Sequence, residues 1–185
     1  MIYMARHGET DDNARRVVQG WLDTPLNDRG REQARELAAR VADLGIESIW
    51  TSQLVRAAET AQIVGDALGL VPRVDDRFAE SRRGSWEGRS LDEIEQSEPE
   101  AWAAWKSGGP DFRFPGGGES LAEHQARVLA AVDAVRSGPE PALIVAHGGT
   151  IRCAICASHP SGLDVFWSIP VPNAELVPLG EASKR

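Results

Sequence analysis

Two histidines in this chain share a setting that suits phosphate chemistry. The sequence runs Ala5-Arg6-His7-Gly8-Glu9-Thr10 near one end and Val145-Ala146-His147-Gly148-Gly149-Thr150 near the other. In both, an apolar stretch stops at a His-Gly pair. Glycine lets the backbone turn sharply and lets a ligand come close. Arg6 precedes the first histidine, and Arg56 stands one turn into a predicted helix behind Thr51-Ser52. Arginine suits phosphate because its planar guanidinium donates two parallel hydrogen bonds. A helix N-terminus adds free N–H groups and a positive dipole. Either histidine alone reads equally well as a hydrogen-bonded structural residue. Taken together with two arginines, they read as an anion pocket that needs no metal.

For these side chains to meet, the elements carrying them must end on one rim. Ile2 to Ala5 predicts a short buried strand. Ala34, Leu37, Ala38, Val41 and Leu44 recur at spacings of three and four after Asn27-Asp28, which predicts an amphipathic helix capped by Gly45. Ile49-Trp50-Thr51 is the next strand, and Ser52 is the expected cap of the helix that follows. Ala57, Ala58, Ala61, Val64 and Leu68 form that helix's apolar face, and Gly69 ends it. Val71 to Val74 predicts a short strand. Residues 90–110 read as helical but broken, at Pro99 and at Gly108-Gly109-Pro110. A loop follows at Phe114–Gly118. Ser120 and Glu123 make a capping-box pattern opening a helix through Val135. Ala142 to Ala146 is a continuous apolar strand, and Glu175 to Leu179 is an edge strand beside prolines.

Strands alternating with helices indicate an α/β fold, here a three-layer α/β/α sandwich with a mainly parallel central sheet. In such sheets ligands bind beyond the carboxyl ends of the strands, which is where both histidines fall. The length of 185 residues fits one domain over 1–185. Net charge is −8, from 20 Lys and Arg against 28 Asp and Glu. A nucleic-acid partner is not expected on that balance, since phosphate backbones need a basic face. A small anion is not excluded, because a local arginine cluster dominates at short range. Two cysteines rule out a disulfide-built secreted scaffold. No run of about 20 apolar residues and no leader are visible, so the expectation is a cytoplasmic protein with no membrane partner. The oligomeric state is open, a homodimer included.

At these residues the sequence resembles the histidine phosphatase superfamily, which includes the phosphoglycerate mutases. Arg6-His7-Gly8-Glu9-Thr10 looks like its RHG[ES][ST] signature. The likeness continues through Gly20-Trp21-Leu22-Asp23, Pro25-Leu26, Gly30, Thr51–Ala57, Thr60-Ala61, Glu80 with Gly84–Gly88, Gly118–Leu121 and Ala146–Gly149. It implies that His7 is the nucleophile, that Arg6, Arg56 and His147 hold phosphate, and that Glu80 donates a proton. Asn13 matches a position that often helps hold phosphate, and Gln19, Gly20, Arg82 and Gly148 are the further candidates for substrate contact. No cofactor or metal is implied.

The implied reaction is a two-step displacement through a phosphohistidine. His7 must then be neutral, His147 serves as a cation or N–H donor, and Glu80 needs a raised pKa to carry its proton. Family mutases carry a long insertion after the acid, whereas here only residues 81–118 separate Glu80 from Glu119. The expectation is therefore a compact phosphomonoesterase acting on a small phosphorylated metabolite. A mutase and a non-catalytic phosphate-ligand binder are the alternatives. Residues 81–115 are expected to cover the pocket. Arg82 and Arg83 depart from the family pattern there, either as a second anion site or as a solvated surface pair. Trp86, Trp102 and Trp105 read as packing rather than as a stacking platform. Cys153-Ala154-Ile155-Cys156 lacks a matching ligand pair for zinc and reads as buried packing. His124 and His159 receive no role.

Overall fold

The computed structural model describes residues 1–107 and 109–180. The five strands are β1 (Ile2–Arg6), β2 (Ser48–Thr51), β3 (Arg73–Val74), β4 (Ala142–Ala146) and β5 (Leu176–Leu179). They form one sheet in the order β3-β2-β4-β1-β5. Only β5 runs antiparallel, against β1. The helices are α1 (Asp11–Ala14), α2 (Asp28–Val41), α3 (Val55–Leu68), α4 (Leu91–Ser97), α5 (Pro99–Ser107), α6 (Leu121–Arg136) and α7 (Gly148–Cys156). None of the described helices is long and apolar enough to cross a membrane.

The all-apolar β4 is buried along its whole length because helices cover both faces of the sheet. Leu143 and Val145 pack with Leu37, Val41, Ala57, Ala61 and Val64 of α2 and α3. Ile144 and Ala146 pack on the other side with Val128, Val132 and Val135 of α6 and with Ile151 of α7. The period-two alternation of one strand thus divides the molecule into three layers. Cys153 and Cys156 are free thiols inside the second of these cores.

The register puts the two histidines side by side. Arg6 pairs with Ala146, so β1 and β4 end at the same level and release His7 and His147 into adjacent loops. β2 pairs with β4 on the other side, with Thr51 opposite Val145, which brings Ser52 and α3 to the same rim. The Asn27 cap, the Gly45 and Gly69 left-handed stops and the full Ser120–Glu123 capping box all form.

Some boundaries differ from expectation. Ser52 is not the cap of α3. Leu54 holds that position, and the Ser52 hydroxyl turns to His147 instead. The strand expected at Val71–Val74 shrinks to Arg73–Val74, because Pro72 has no N–H for a ladder. β5 begins one residue late, at Leu176. Between α4 and α5 the break falls at Glu98, and Pro99 opens α5 as a first-turn proline can. The second break is expected at Gly108-Gly109-Pro110: Gly108 lies outside the described residues, α5 ends at Ser107, and Gly109 and Pro110 are not helical. α1 and α7 escaped notice, α1 because it is a single turn and α7 because it opens on two glycines, which are poor helix formers.

Candidate active site

A cavity of about 380 Å³ opens at the carboxyl ends of β1 and β4. His7 and His147 are almost fully buried at its floor, their ring centroids 5.3 Å apart. His7 Nδ1 lies 2.7 Å from the carbonyl oxygen of Gly8. A carbonyl can only accept, so Nδ1 carries the proton and Nε2 keeps a lone pair. Burial, then the charges of Arg56 and Arg6, hold the His7 pKa well below the usual imidazole range. His7 is therefore held neutral, with an electron pair free on Nε2.

The two arginines beside it are anchored from behind. Arg56 donates through Nη1 to Leu22 O and through Nη2 to Gly20 O, each at 2.7 Å. Arg6 donates through Nη1 to Val171 O at 2.7 Å. The Nε atoms of both are buried with no partner, which leaves donors for an anion. Burial lowers each guanidinium to about 10, so both remain cations at neutral pH.

His147 Nε2 lies 2.7 Å from Ser52 Oγ, which also accepts from the Leu54 N–H. Assigned from that network, the Ser52 hydrogen goes to Nε2 and the imidazole proton to Nδ1. That Nδ1 is buried and unpartnered, a donor aligned with the need for one. Burial first, then Arg56 and His7, hold the His147 pKa well below its usual value. Of the two forms expected from sequence, the cation is disfavoured and the N–H donor is the one the surroundings support.

Glu80 stands above the histidines. Its Oε1 accepts from Ser81 N–H at 2.9 Å and its Oε2 from Gly149 N–H at 3.0 Å. Arg83 Nη2 lies 3.3 Å from Oε1. Burial alone would raise the Glu80 pKa, but Arg83 and the other surrounding donors outweigh it and hold the carboxyl well below its usual range. The raised pKa expected from sequence is thus not found. Arg83 is the largest of these lowering causes, followed by His124, His147 and the Ser81 N–H.

With this geometry described, the chain can be set beside known proteins. Residues 2–184 match the histidine phosphatase superfamily (branch 1). The chain belongs to that superfamily. It is 38% identical over 168 residues to phosphoglycerate mutase-like protein 4 of Arabidopsis thaliana, covering 89% of this chain and 73% of that protein. It is 37% identical over 156 residues to the probable phosphoglycerate mutase GpmB of Escherichia coli, covering 83% of this chain and 72% of that one. The structure of a mycobacterial glucosyl-3-phosphoglycerate phosphatase complexed with VO3 superposes with a TM-score of 0.84 at 34% identity. That match covers 95% of this chain and 88% of the other.

Of the superfamily positions read from sequence, Arg6, His7, Arg56, Glu80, Asn13, Gln19, Gly20 and Gly148 all line this one cavity, and His147 sits against His7 beneath it. Asn13 Oδ1 accepts from Thr10 N–H and from Asn173 Nδ2, which leaves its own amide hydrogens free. Gly20 acts through its carbonyl on Arg56. Its φ of +51°, and Glu87 Oε1 at 2.2 Å from where a Cβ would stand, explain the glycine.

Arg82 is a correction. It is exposed and stacks 3.8 Å above the Trp21 ring, while Arg83 is the arginine that lines the cavity. Trp86, Trp102 and Trp105 do pack together, with Trp86 fully buried, and Trp86 and Trp105 also face the cavity. Arg152 and Trp167 were missed. Arg152 lies one turn into α7, a position the His-Gly signal points to once a helix is recognised there. Arg127 was missed too: it donates to the carbonyls of Arg77, Ala79 and Glu80 and so fixes the approach of the carboxyl.

Proposed function

We propose that the chain is a phosphomonoesterase that hydrolyses a small phosphorylated metabolite through a phosphohistidine on His7. The observation that carries this reading is the His7 tautomer. Gly8 O occupies Nδ1, so the free electron pair sits on Nε2 within a cup of anchored arginines. In the first step Nε2 forms a bond to phosphorus and the P–O ester bond breaks. The leaving oxygen takes a proton from Glu80. In the second step water attacks phosphorus, the Glu80 carboxylate accepts its proton, and the P–N bond breaks to free phosphate and neutral His7.

Glu80 must gain a proton before the first step. Arrival of phosphate supplies the cause, because a like charge next to a carboxylate favours its neutral form. Phosphoryl transfer otherwise depends on positioning and electrostatics, for which Arg6, Arg56, His147 and Asn13 serve here. Residues 81–115 form the cover, contributing Arg83, Trp86, Leu91, Trp105 and Phe114 to the cavity wall.

The test is phosphate release from p-nitrophenyl phosphate by the wild type beside His7→Ala. The wild type is expected to turn over, and the variant to fall by about 10³-fold or more, since the neighbouring His147 has its Nε2 engaged by the Ser52 hydroxyl. Equal rates for the two proteins would refute the reading, and no turnover by either would support a phosphate-ligand binder instead. The mutase reading draws on the names of the two sequence relatives. Incubation with 3-phosphoglycerate separates it, since a mutase yields an isomer and the proposed enzyme yields free phosphate.

A further inference from the structure

Five arginines line the cavity. Arg16 is exposed and pairs with Asp92 at 3.0 Å, and of the other four Arg83 is held differently. Arg6, Arg56 and Arg152 are each tied to at least one backbone carbonyl, Arg152 by Nε to Ile169 O at 2.8 Å. Among the described residues the Arg83 guanidinium has no such anchor. It rests 4.6 Å from the Phe114 ring centroid and meets Glu80 at 3.3 Å, longer than a strong charge-assisted hydrogen bond of about 2.7–2.9 Å. Both side chains of the pair are only 12% exposed. The carboxylate does not need Arg83 for its position, since the N–H groups of Ser81 and Gly149 hold its two oxygens. The arginine can therefore leave while the acid stays.

It would not travel far to reach substrate. A Cβ on Gly149 would lie 3.2 Å from Arg83 Nη2 and 2.3 Å from Glu80 Oε1. A Cβ on the neighbouring Gly148 would lie 3.7 Å from both Arg152 Nη1 and Arg6 Nε. Three guanidiniums thus gather around the two glycines that open α7. Of the lining arginines that are not exposed, two, Arg83 and Arg152, stand beyond the pair assigned to the transferring phosphate.

We propose that Arg83 is a substrate-operated latch on Glu80, released when its guanidinium moves to a second anionic group on the substrate. The substrate class is then a phosphate monoester that also bears a carboxylate or a second phosphate. Capture of that group takes the nearest cation away from Glu80 and leaves it free to hold the proton it must donate. Esters without the second anion leave the latch closed. Arg83 acts on the acid and on binding and is not itself a reacting group. The latch rests on the phosphatase reading for its acid, whereas the second anion site does not.

The binding arm needs no turnover. Calorimetry would compare propylphosphonate, 3-phosphonopropionate and propane-1,3-bisphosphonate on the wild type and on Arg83→Met. One charged hydrogen-bonded contact should make either two-anion probe bind about 10-fold tighter than propylphosphonate. In Arg83→Met that ratio should fall to within about twofold of unity, and in Arg83→Lys part of it should return. The two anionic probes also show which second group the site favours. A ratio that survives in Arg83→Met overturns the proposal, and the same reading in Arg83→Gln decides it should the Met variant not fold.

The turnover arm reads kcat against pH on alkyl phosphates with and without a carboxylate. Glu80 faces Arg83 from its own segment, Arg6 and His7 from β1 and its loop, and Arg56 from α3. It also faces His124 from α6, and His147 and Arg152 at α7. Only Arg83 is asked to move. In the wild type the high-pH loss of kcat should lie higher for the carboxylated ester, and in Arg83→Met the two profiles should coincide. Profiles that already coincide in the wild type overturn the latch. Intact phosphonate selectivity in a protein that releases no phosphate from p-nitrophenyl phosphate would instead refute the phosphatase reading and leave the anion site standing.

Discussion

In the proposed reaction, environment divides the work between Glu80 and His7. His7 is kept neutral by burial and by two cations, which suits a nucleophile. Glu80, its pKa held well below the usual carboxyl range, is suited to accept the proton in the proposed second step. Its role in the first step depends on what leaves. An alkoxide needs a proton from Glu80, whereas a nitrophenolate leaves without one. Glu80→Gln keeps the shape of the carboxyl and removes its proton chemistry. It is expected to cut kcat on an alkyl phosphate by about 10²–10⁴, roughly 3–5 kcal/mol, the usual worth of a general acid. Formation of the phosphohistidine from p-nitrophenyl phosphate, read as the burst of nitrophenolate, should change far less. Equal losses on both substrates would remove Glu80 from the role of acid.

At the scale of elements, the His7 loop depends on how closely α2 approaches it. A Cβ on Gly8 would lie 2.2 Å from Gly30 O, and one on Gly30 would lie 2.1 Å from Glu9 O. Two backbones meet there with no room for a side chain, and Asn27 seals the contact by capping α2 and donating to Glu9 Oε1. Gly30→Ala gains up to about 1 kcal/mol in helix propensity and loses more to overpacking against rigid backbone. A net loss of about 2 kcal/mol is expected in urea unfolding, together with a lower kcat as the His7 loop is pushed aside. Unchanged stability would mean that the loop yields freely. The same scale shows what the sequence made legible. Strands ending in His-Gly, the apolar faces of α2, α3 and α6, and the capping box were readable because each rests on local period or local hydrogen bonding. The choice between Arg82 and Arg83 was not, since residues 81–90 carry a short 3-10 turn and no repeating pattern to set which side chain faces inward. Arg152 was hidden by the glycines that open its helix, and Trp167 by the irregular turns after it.

Across the whole molecule, the pocket makes stability depend on acidity. His7, His124 and His147 are each at most 3% exposed, and burial, the largest cause in every case, lowers all three pKa values. For His124 the value falls to about 3. Unfolding releases these imidazoles to a pKa of about 6.5, so below that pH the unfolded chain binds protons that the folded one refuses. Their contribution is complete above about pH 7 and is lost as pH falls toward the folded values. Glu80 works in the same direction but lower, because its depressed pKa costs stability only below the unfolded carboxyl value of about 4.5. Between pH 7 and 5.5 the three histidines alone should lower the unfolding free energy by about 3–4 kcal/mol, approaching three protons per molecule. His124 gives the control, since its Nε2 meets Thr150 Oγ1 at 3.1 Å and it is outside the set proposed to hold phosphate. Denaturant unfolding of His124→Gln across the same range should show a slope smaller by about one proton. A wild-type curve flat from pH 7 to 5.5 would mean that the folded protein takes up these protons, and that His7 is not held neutral.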